Sequence, residues 1–436
     1  VKAAIGQEVS DEELGGADMH ASISGTIDFK EPDDDACIAR IRELIGKHSP
    51  RRQMEEASEL ARVLAYCFTS IYSPDGPPDD EISDLLMDAV RKHAIGSEAG
   101  TEALDKYIES TLNYQHREFM CRDPRVLDLV ARAAVGDPPP EQKGISPVRP
   151  VEDIYEVFTD KSGEQYDVRD LLACVVDSRA TQNAAGHESL EPDFDEYKAD
   201  FGPSIVCGYA TIGGKPVGVV ANQVALGKQH EPGGKAGPTT SVTMPRVIYD
   251  ESADKAARFI MDCNQRKIAL VFVHDTTGFM VGRDSEQAGI IRAGAKMVNA
   301  MSNCVVPKIV LITGSSYGAG NYAMCGRAFE PFITLAWPGS KCAVMGAAQA
   351  SGVLATIEER SRQRKGEAID AETHKTILDA VRASYDEQQD IRHGAARGWI
   401  DRIIEPENTR DEIIAALDAA TNWDWSREFK TGVLQT

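Results

Sequence analysis

The sequence predicts an α/β protein built on a mostly parallel sheet, with an additional all-helical stretch ahead of it. Three observations carry this. From residue 250 onward, short continuous apolar runs, such as 268–274 and 308–313, alternate with longer helical patterns. Two strand-like runs, 204–212 and 216–222, flank Gly213-Gly214, a hairpin turn signal. Residues 53–135 read as helix throughout, broken by Ser73-Pro-Asp-Gly-Pro-Pro78 and closed by Gly136-Asp-Pro-Pro-Pro140.

In chain order, Ile38, Ile41, Leu44 and Ile45 recur at three- and four-residue spacing behind acidic residues, which predicts an amphipathic helix over 33–45. Helices follow at 54–72, 80–93, 102–114 and 124–134, and 137–150 reads as a linker. Residues 167–177 read as a helix ahead of the hairpin, and the Gly/Pro-rich stretch 227–245 as a surface loop. Then come a helix at 250–267, a strand at 268–274, a helix at 284–301 and a strand at 308–313. A helix at 317–327, a strand at 332–337 and a helix at 347–357 complete the alternation, with helices at 359–392 and 408–420 in the tail. Repeated strand–helix–strand units imply right-handed crossovers. No internal repeat interrupts the pattern. The organisation is three segments, 1–47, 48–140 and 141–436.

At 436 residues the chain has length for two or three domains, and 42% apolar with 27% charged residues is ordinary for a folded soluble protein. Forty-seven basic against 69 acidic residues leave a net charge of −22, with a pI near 4.9. That field repels phosphate backbones and anionic lipids, so nucleic-acid binding is a poor first reading, and a phosphorylated ligand needs a local basic or amide-lined pocket. No apolar run reaches the ~18 residues of a membrane span. The opening residues carry no basic n-region or apolar h-region, and the missing initiator Met points to a start further upstream. The nine cysteines form no CxxC or zinc pattern and sit mostly in apolar runs, which predicts buried reduced thiols in a cytoplasmic protein. The nine histidines show no HExxH spacing, and no protein-bound catalytic metal is expected.

Parallel sheets place ligands at the carboxyl ends of their strands. Two such ends are glycine-rich here: His274-Asp-Thr-Thr-Gly-Phe-Met-Val-Gly282 and Gly314-Ser-Ser-Tyr-Gly-Ala-Gly-Asn-Tyr-Ala-Met-Cys-Gly326. Small residues at a helix start let a ligand approach free N–H groups, which suit an anion or a developing oxyanion. The plainer reading is that the glycines only permit tight turns. The second segment is neither a GxxxxGK[ST] loop nor a GxSxG elbow. His274 and Asp275 are candidates for an acid–base pair, against the simpler reading of a strand-end Asp that caps a loop. Lys341 and Arg327 are candidates for a phosphate, against ordinary solvation or ion pairing. Trp337-Pro-Gly-Ser340 reads as a turn beneath a packed indole. Residues alone therefore reach an α/β protein with an amide-lined pocket.

Longer motifs go further. Tyr166-Asp-Val-Arg169, Thr276-Thr-Gly-Phe-Met-Val-Gly282, Gly294-Ala-Lys-Met297, Ser316-Tyr-Gly-Ala-Gly-Asn-Tyr-Ala-Met-Cys-Gly-Arg327, Ala336-Trp-Pro338 and Val344-Met-Gly-Ala347 succeed one another in the chain. In this order, residues from about 150 to 436 resemble the C-terminal carboxyltransferase half of biotin-dependent acyl-CoA carboxylases. The similarity is greatest to the non-biotinylated methylcrotonyl-CoA carboxylase subunit. The resemblance implies a crotonase-like (ClpP/crotonase) β-β-α spiral core and transfer of CO2 from carboxybiotin to an acyl-CoA enolate, with a short branched or unsaturated acyl group. It implies backbone-amide oxyanion stabilisation at Gly318, Ala319, Gly320 and Asn321, and a biotin pocket formed by Gly278, Phe279, Tyr317 and Gly346. It assigns acyl specificity to Tyr322 and Ala323, and requires no side-chain base and no metal. Biotin would arrive on a partner, since the chain has no AMKM-like motif and no ATP-grasp signature. Coenzyme A would enter as part of the substrate.

Three departures accompany it. Residues 1–47, with Leu14-Gly-Gly-Ala-Asp18, resemble only the end of the family's N-terminal half; residues 48–137 have no counterpart in the common pattern; and 224–249 is long, similar to the glycine-rich insert of glutaconyl-CoA decarboxylase. The expectation is a second carboxyltransferase chain supplying the missing half, the alternative being a fragment. Partners expected are a biotin carrier or biotin carboxylase subunit, in a homo- or hetero-oligomer. A biotin-dependent decarboxylase and a non-catalytic crotonase-like scaffold stay open as other readings.

Overall fold

The computed structural model describes residues 10–47 and 145–432, apart from 160, 162, 183–187, 234–236, 367–369, 421–422, 425–426 and 431. The helices expected at 54–72, 80–93, 102–114 and 124–134 lie outside the described residues. The chain divides into two units, Val1–Ile41 with Gly144–Thr436, and Arg42–Lys143. The first unit holds the sheet and the glycine-rich segments.

Fourteen strands are described. They are β1 (Ser178–Gln182), β2 (Glu188–Pro192), β3 (Phe194–Tyr197), β4 (Ile205–Ile212), β5 (Lys215–Asn222), β6 (Gly227–Glu231) and β7 (Thr239–Thr243). Then come β8 (Val247–Ile248), β9 (Ala269–Thr276), β10 (Gly278–Phe279), β11 (Lys308–Tyr317), β12 (Ile333–Ala336), β13 (Lys341–Ala343) and β14 (Arg402–Ile403). The main sheet has the order β14-β12-β11-β9-β5-β4-β3, and β13 pairs with the far end of β11. β3, β4 and β5 are antiparallel, while β5, β9, β11, β12 and β14 run parallel. The helices that matter for the site are α1 (Asp34–Lys47), α2 (Val168–Leu172), α3 (Asp250–Gln265), α4 (Arg283–Ala288), α5 (Ile290–Ser302), α6 (Gly318–Ala323), α7 (Ala347–Arg364), α8 (Ala371–Gln389), α9 (Ile391–Ala396) and α10 (Thr409–Ala419).

Alternation along the strands separates two layers. Val271, Val273, Ile309, Leu311 and Leu335 join one core cluster with Val168, Leu171 and Trp337. The intervening residues, among them Phe272, Val310 and Ile312, are equally buried and point the other way. All eight residues of β9 are buried, as a strand covered on both faces requires. Trp337 is enclosed as expected, its indole Nε1 donating to Thr409 Oγ1 at 2.9 Å.

The hairpin forms as expected: Ile212 pairs with Lys215, and Gly213 and Gly214 have φ of 62° and 75°. Two consecutive left-handed residues match the strands' twist, and glycine supplies them without strain. Their N–H groups donate to the two carboxylate oxygens of Asp177 at 2.8 and 2.7 Å. Asp177 in turn pairs with Arg410 at 2.5 Å, both side chains under 10% exposed.

Four expectations are corrected. The stretch 227–245 is not an irregular loop but carries the antiparallel ribbon β6–β7. Its β-branched run Thr239-Thr-Ser-Val-Thr243 forms a strand, while the glycines and prolines concentrate between the two arms. The single helix expected over 284–301 divides at Gly289, whose φ of 103° ends α4 before α5 begins. β11 runs ten residues and takes in Gly314–Tyr317, so the helix after it is only six residues long. The 167–177 helix is also short, stopping at Leu172 before turns lead to Asp177. Among the described residues no helix is long and apolar enough to cross a membrane.

Asp177→Ala removes the partner of buried Arg410 and both acceptors at the hairpin turn. Unfolding free energy should fall by about 3–5 kcal/mol, the usual cost of stranding a buried charge. Urea denaturation measures it, and a loss below about 1 kcal/mol, the worth of an ordinary hydrogen bond, contradicts the anchoring role.

Candidate active site

The two glycine-rich segments leave the carboxyl ends of adjacent parallel strands, β9 and β11, and meet there. A Cβ added to Gly320 would lie 2.9 Å from Thr276 Oγ1 and 3.0 Å from Gly278 Cα. Only glycine lets these backbones approach so closely. Gly318 has φ of 52°, and a Cβ there would lie 2.7 Å from the carbonyl oxygen of Val344. Position and conformation both demand glycine. These residues open α6, where the first four N–H groups of a helix find no acceptor within it. With Tyr317 as the N-cap, those here are Tyr317, Gly318, Ala319 and Gly320, whereas the Asn321 N–H, expected among the free donors, is the first that the helix itself uses, at the Tyr317 carbonyl.

A cavity of about 1210 Å³ lies against this turn. Gly318, Ala319, Asn321, Tyr322 and Phe279 line it, and apolar side chains of α5 and β11 such as Ile290, Val298 and Ile312 supply much of the wall. The expected site residues thus divide. Gly320 and Ala323 are buried behind the turn, and Gly278 touches Gly320 without being among the lining residues. Tyr317 and Gly346 are not lining residues either. The Tyr317 hydroxyl donates to Gln389 Oε1 at 2.9 Å, and a Cβ on Gly346 would lie 3.6 Å from the Tyr317 ring. Tyr322 is 53% exposed at the mouth, its ring edge-on to Phe329.

His274 and Asp275 do not form an acid–base pair. As neighbours on one strand they face opposite sides of the sheet, and each is occupied by its own partners. His274 Nδ1 is 2.9 Å from Ser316 Oγ and its Nε2 2.5 Å from the Met324 carbonyl. Burial pushes the imidazole down to about 4, so it is neutral near pH 7. Asp275 accepts from Arg246 Nε and from the Ser315 N–H, both at 2.9 Å. Burial pushes its carboxyl up, against the opposing pull of Arg246. Arg327 is ion-paired with Asp401 at 2.7 Å rather than free for a phosphate, and Lys341 is exposed at the start of β13.

Arg246 escaped sequence reasoning. Its side chain is 17% exposed beside Asp275, and its carbonyl accepts from the Thr277 N–H at 2.8 Å and from the Thr276 and Thr277 hydroxyls at 3.2 and 3.1 Å. It therefore ties the 243–247 segment to the start of the β9–β10 turn. No motif spacing marks a lone arginine at the end of a Gly/Pro-rich stretch. The seven described cysteines are all free, five of them buried.

The carboxyl transferase domain family matches residues 1–67 and 125–431. The chain is 32% identical over 435 residues to the probable mitochondrial methylcrotonoyl-CoA carboxylase beta chain of Drosophila melanogaster, covering all of this chain and 57% of that protein. It is 30% identical over 417 residues to the biotin-dependent 3-methylcrotonyl-coenzyme A carboxylase beta1 subunit of Mycobacterium tuberculosis, covering 96% and 56% of the two chains. Among solved structures, the beta subunit of P. aeruginosa geranyl-CoA carboxylase matches with a TM-score of 0.52 and 32% identity over 71% of this chain and 53% of that one. The transcarboxylase 12S hexamer, solved with methylmalonyl-coenzyme A bound, matches with a TM-score of 0.58 and 25% identity over 100% and 60%. The chain spans a little over half the length of these curated relatives. The fold is the crotonase-like α/β fold that the motifs imply. By this match and this similarity, the chain belongs to the carboxyl transferase domain family, that of the beta subunits of biotin-dependent acyl-CoA carboxylases.

Proposed function

We propose that the chain supplies the biotin-facing half of a carboxyltransferase site, which moves a carboxyl group from biotin to an acyl-CoA. The observation that carries this is the turn at Gly318–Asn321: two glycines with no room for a Cβ, opening a helix against a largely apolar cavity. That cradle fits a flat, neutral ureido ring whose oxygen needs hydrogen-bond donors. Biotin, when bound, supplies the carboxyl group. The amides of Gly318, Ala319 and Gly320 donate to an oxygen on which negative charge develops, and fixed donors in a water-poor site do so without reorganisation. Phe279 and the apolar wall exclude water, and Gly278 holds the turn from behind. Tyr317 and Gly346 shape the pocket indirectly, through the start of α7. Tyr322, at the mouth, and Ala323, behind it, bear on the acyl group. No side-chain base is invoked, in keeping with the full occupation of His274 and Asp275.

The substrate we propose is a short branched or unsaturated acyl-CoA, supported by the names of the methylcrotonoyl relatives. The chain's partner in this reading is a biotin-bearing subunit, and the half-site for coenzyme A lies outside these residues. Residues 1–47 then form the tail of the N-terminal half, 48–140 a helical insert and 141–436 the C-terminal half. A cytoplasmic location belongs to the same proposal, supported by the free thiols.

Purification from the native host with mass spectrometry of the complex should identify a biotinylated protein, and the coenzyme A half on a second crotonase-like chain or a longer form of this one; finding no biotinylated protein contradicts the proposed assembly. In that complex, Gly320→Val should lower kcat at least about hundredfold, the scale of losing an oxyanion donor, with the circular dichroism spectrum unchanged. Gly318→Ala, a smaller change on a left-handed residue, should act in the same direction. Full activity in both variants contradicts the site.

A further inference from the structure

We propose that His274 is a positioning residue for the amide turn, orienting the Asn321 side chain through Ser316 while it holds the other end of α6 through Met324. The kinetic part of this rests on the proposed function; the geometry stands without it.

The direction of every hydrogen bond in the chain is forced by the one before. Met324 offers a carbonyl, which only accepts, so His274 Nε2 at 2.5 Å must carry a proton. The imidazole is fully buried and has no acidic partner among its hydrogen bonds, and burial keeps it neutral. Nδ1 is therefore a bare lone pair, and the Ser316 hydroxyl at 2.9 Å donates to it. With its single proton so placed, Ser316 Oγ can only accept from Asn321 at 2.8 Å, which turns Nδ2, not Oδ1, toward it. The order is Asn321 to Ser316 to His274 to Met324.

These contacts bracket the helix. Ser316 precedes α6 by two residues, and Met324 caps it, its N–H donating to the Gly320 carbonyl at 3.0 Å. A six-residue helix that opens Gly-Ala-Gly has little stability of its own. One rigid ring therefore links its two ends to β9, the strand whose continuation brings Gly278 against Gly320. A histidine that merely filled the core would have no bearing on the orientation of Asn321. His274, by contrast, sets which way that amide turns and where the first turn sits.

The test combines two readouts on the full chain. In the reconstituted biotin-containing complex, His274→Ala, Ser316→Ala and Asn321→Ala should each lower kcat about tenfold or more, with KM for acyl-CoA within about twofold. The His274→Ala/Ser316→Ala double variant should lose no more than the worse single one, because the pair acts as a unit. His274→Asn, which keeps an acceptor for Ser316, should recover most of the loss. Multiplicative losses in the double variant, or a raised KM at unchanged kcat, overturn the proposal. Independently, long-range nitrogen-15 spectra of histidine-labelled protein, assigned with His274→Asn, should show His274 protonated on Nε2 alone from pH 8 to pH 5. Protonation on Nδ1 anywhere in that range overturns the relay whatever the kinetics. A wild-type complex that transfers no carboxyl group, with the spectrum as expected, overturns the functional reading and leaves the clamp standing.

Discussion

Two backbones touch at the carboxyl ends of β9 and β11, where Gly320 lies against Gly278 and Thr276 with no space for a side chain. The rest of the site depends on that contact. It brings the start of α6 alongside β10, and Gly318 and Ala319 line the cavity together with apolar residues of α5. A parallel sheet with alternating helices offers such a meeting point wherever neighbouring strands both end in tight turns. Glycine makes so close an approach possible, since a Cβ at Gly320 would lie 3.0 Å from Gly278 Cα.

Close contact between two turns must be held from both sides of the sheet, and the two consecutive residues at the end of β9 do this in opposite directions. Asp275 ties Ser315 and Arg246 together on one face, and through the Arg246 carbonyl it reaches Thr276 and Thr277. His274 ties Ser316 and Met324 on the other. Removing one partner of a buried ion pair such as Asp275–Arg246 typically costs about 3–5 kcal/mol, far more than an exposed pair contributes. Much of what holds the two turns together therefore lies at the end of β9, in Asp275 and His274.

Much of this was legible in the chain. The apolar runs 268–274 and 308–313 announce strands covered on both faces, Gly213-Gly214 announces its turn because few other residues tolerate two left-handed conformations in succession, and the glycines at 318 and 320 mark the start of the helix after β11, although not how far that strand runs. What stayed hidden depends on partners far away in sequence. Arg246 is informative only once Asp275, twenty-nine positions on, lies beside it. The β6–β7 ribbon was masked by the glycines and prolines between its arms. The break at Gly289 was masked by Ile290 and Ile291, which continue the helical pattern. His274 and Asp275 read as a pair because adjacency in sequence resembles proximity, whereas a strand sends them to opposite faces.

The central claim is that the first turn of α6 presents its backbone donors to biotin. A structure of the native complex with biotin bound tests it most directly. The ureido oxygen should lie about 3 Å from amide nitrogens within Gly318–Gly320, the distance oxyanion donors require, with the ring against Phe279. A biotin seated elsewhere on the chain, or a first turn whose amides are covered by protein carbonyls, would contradict it.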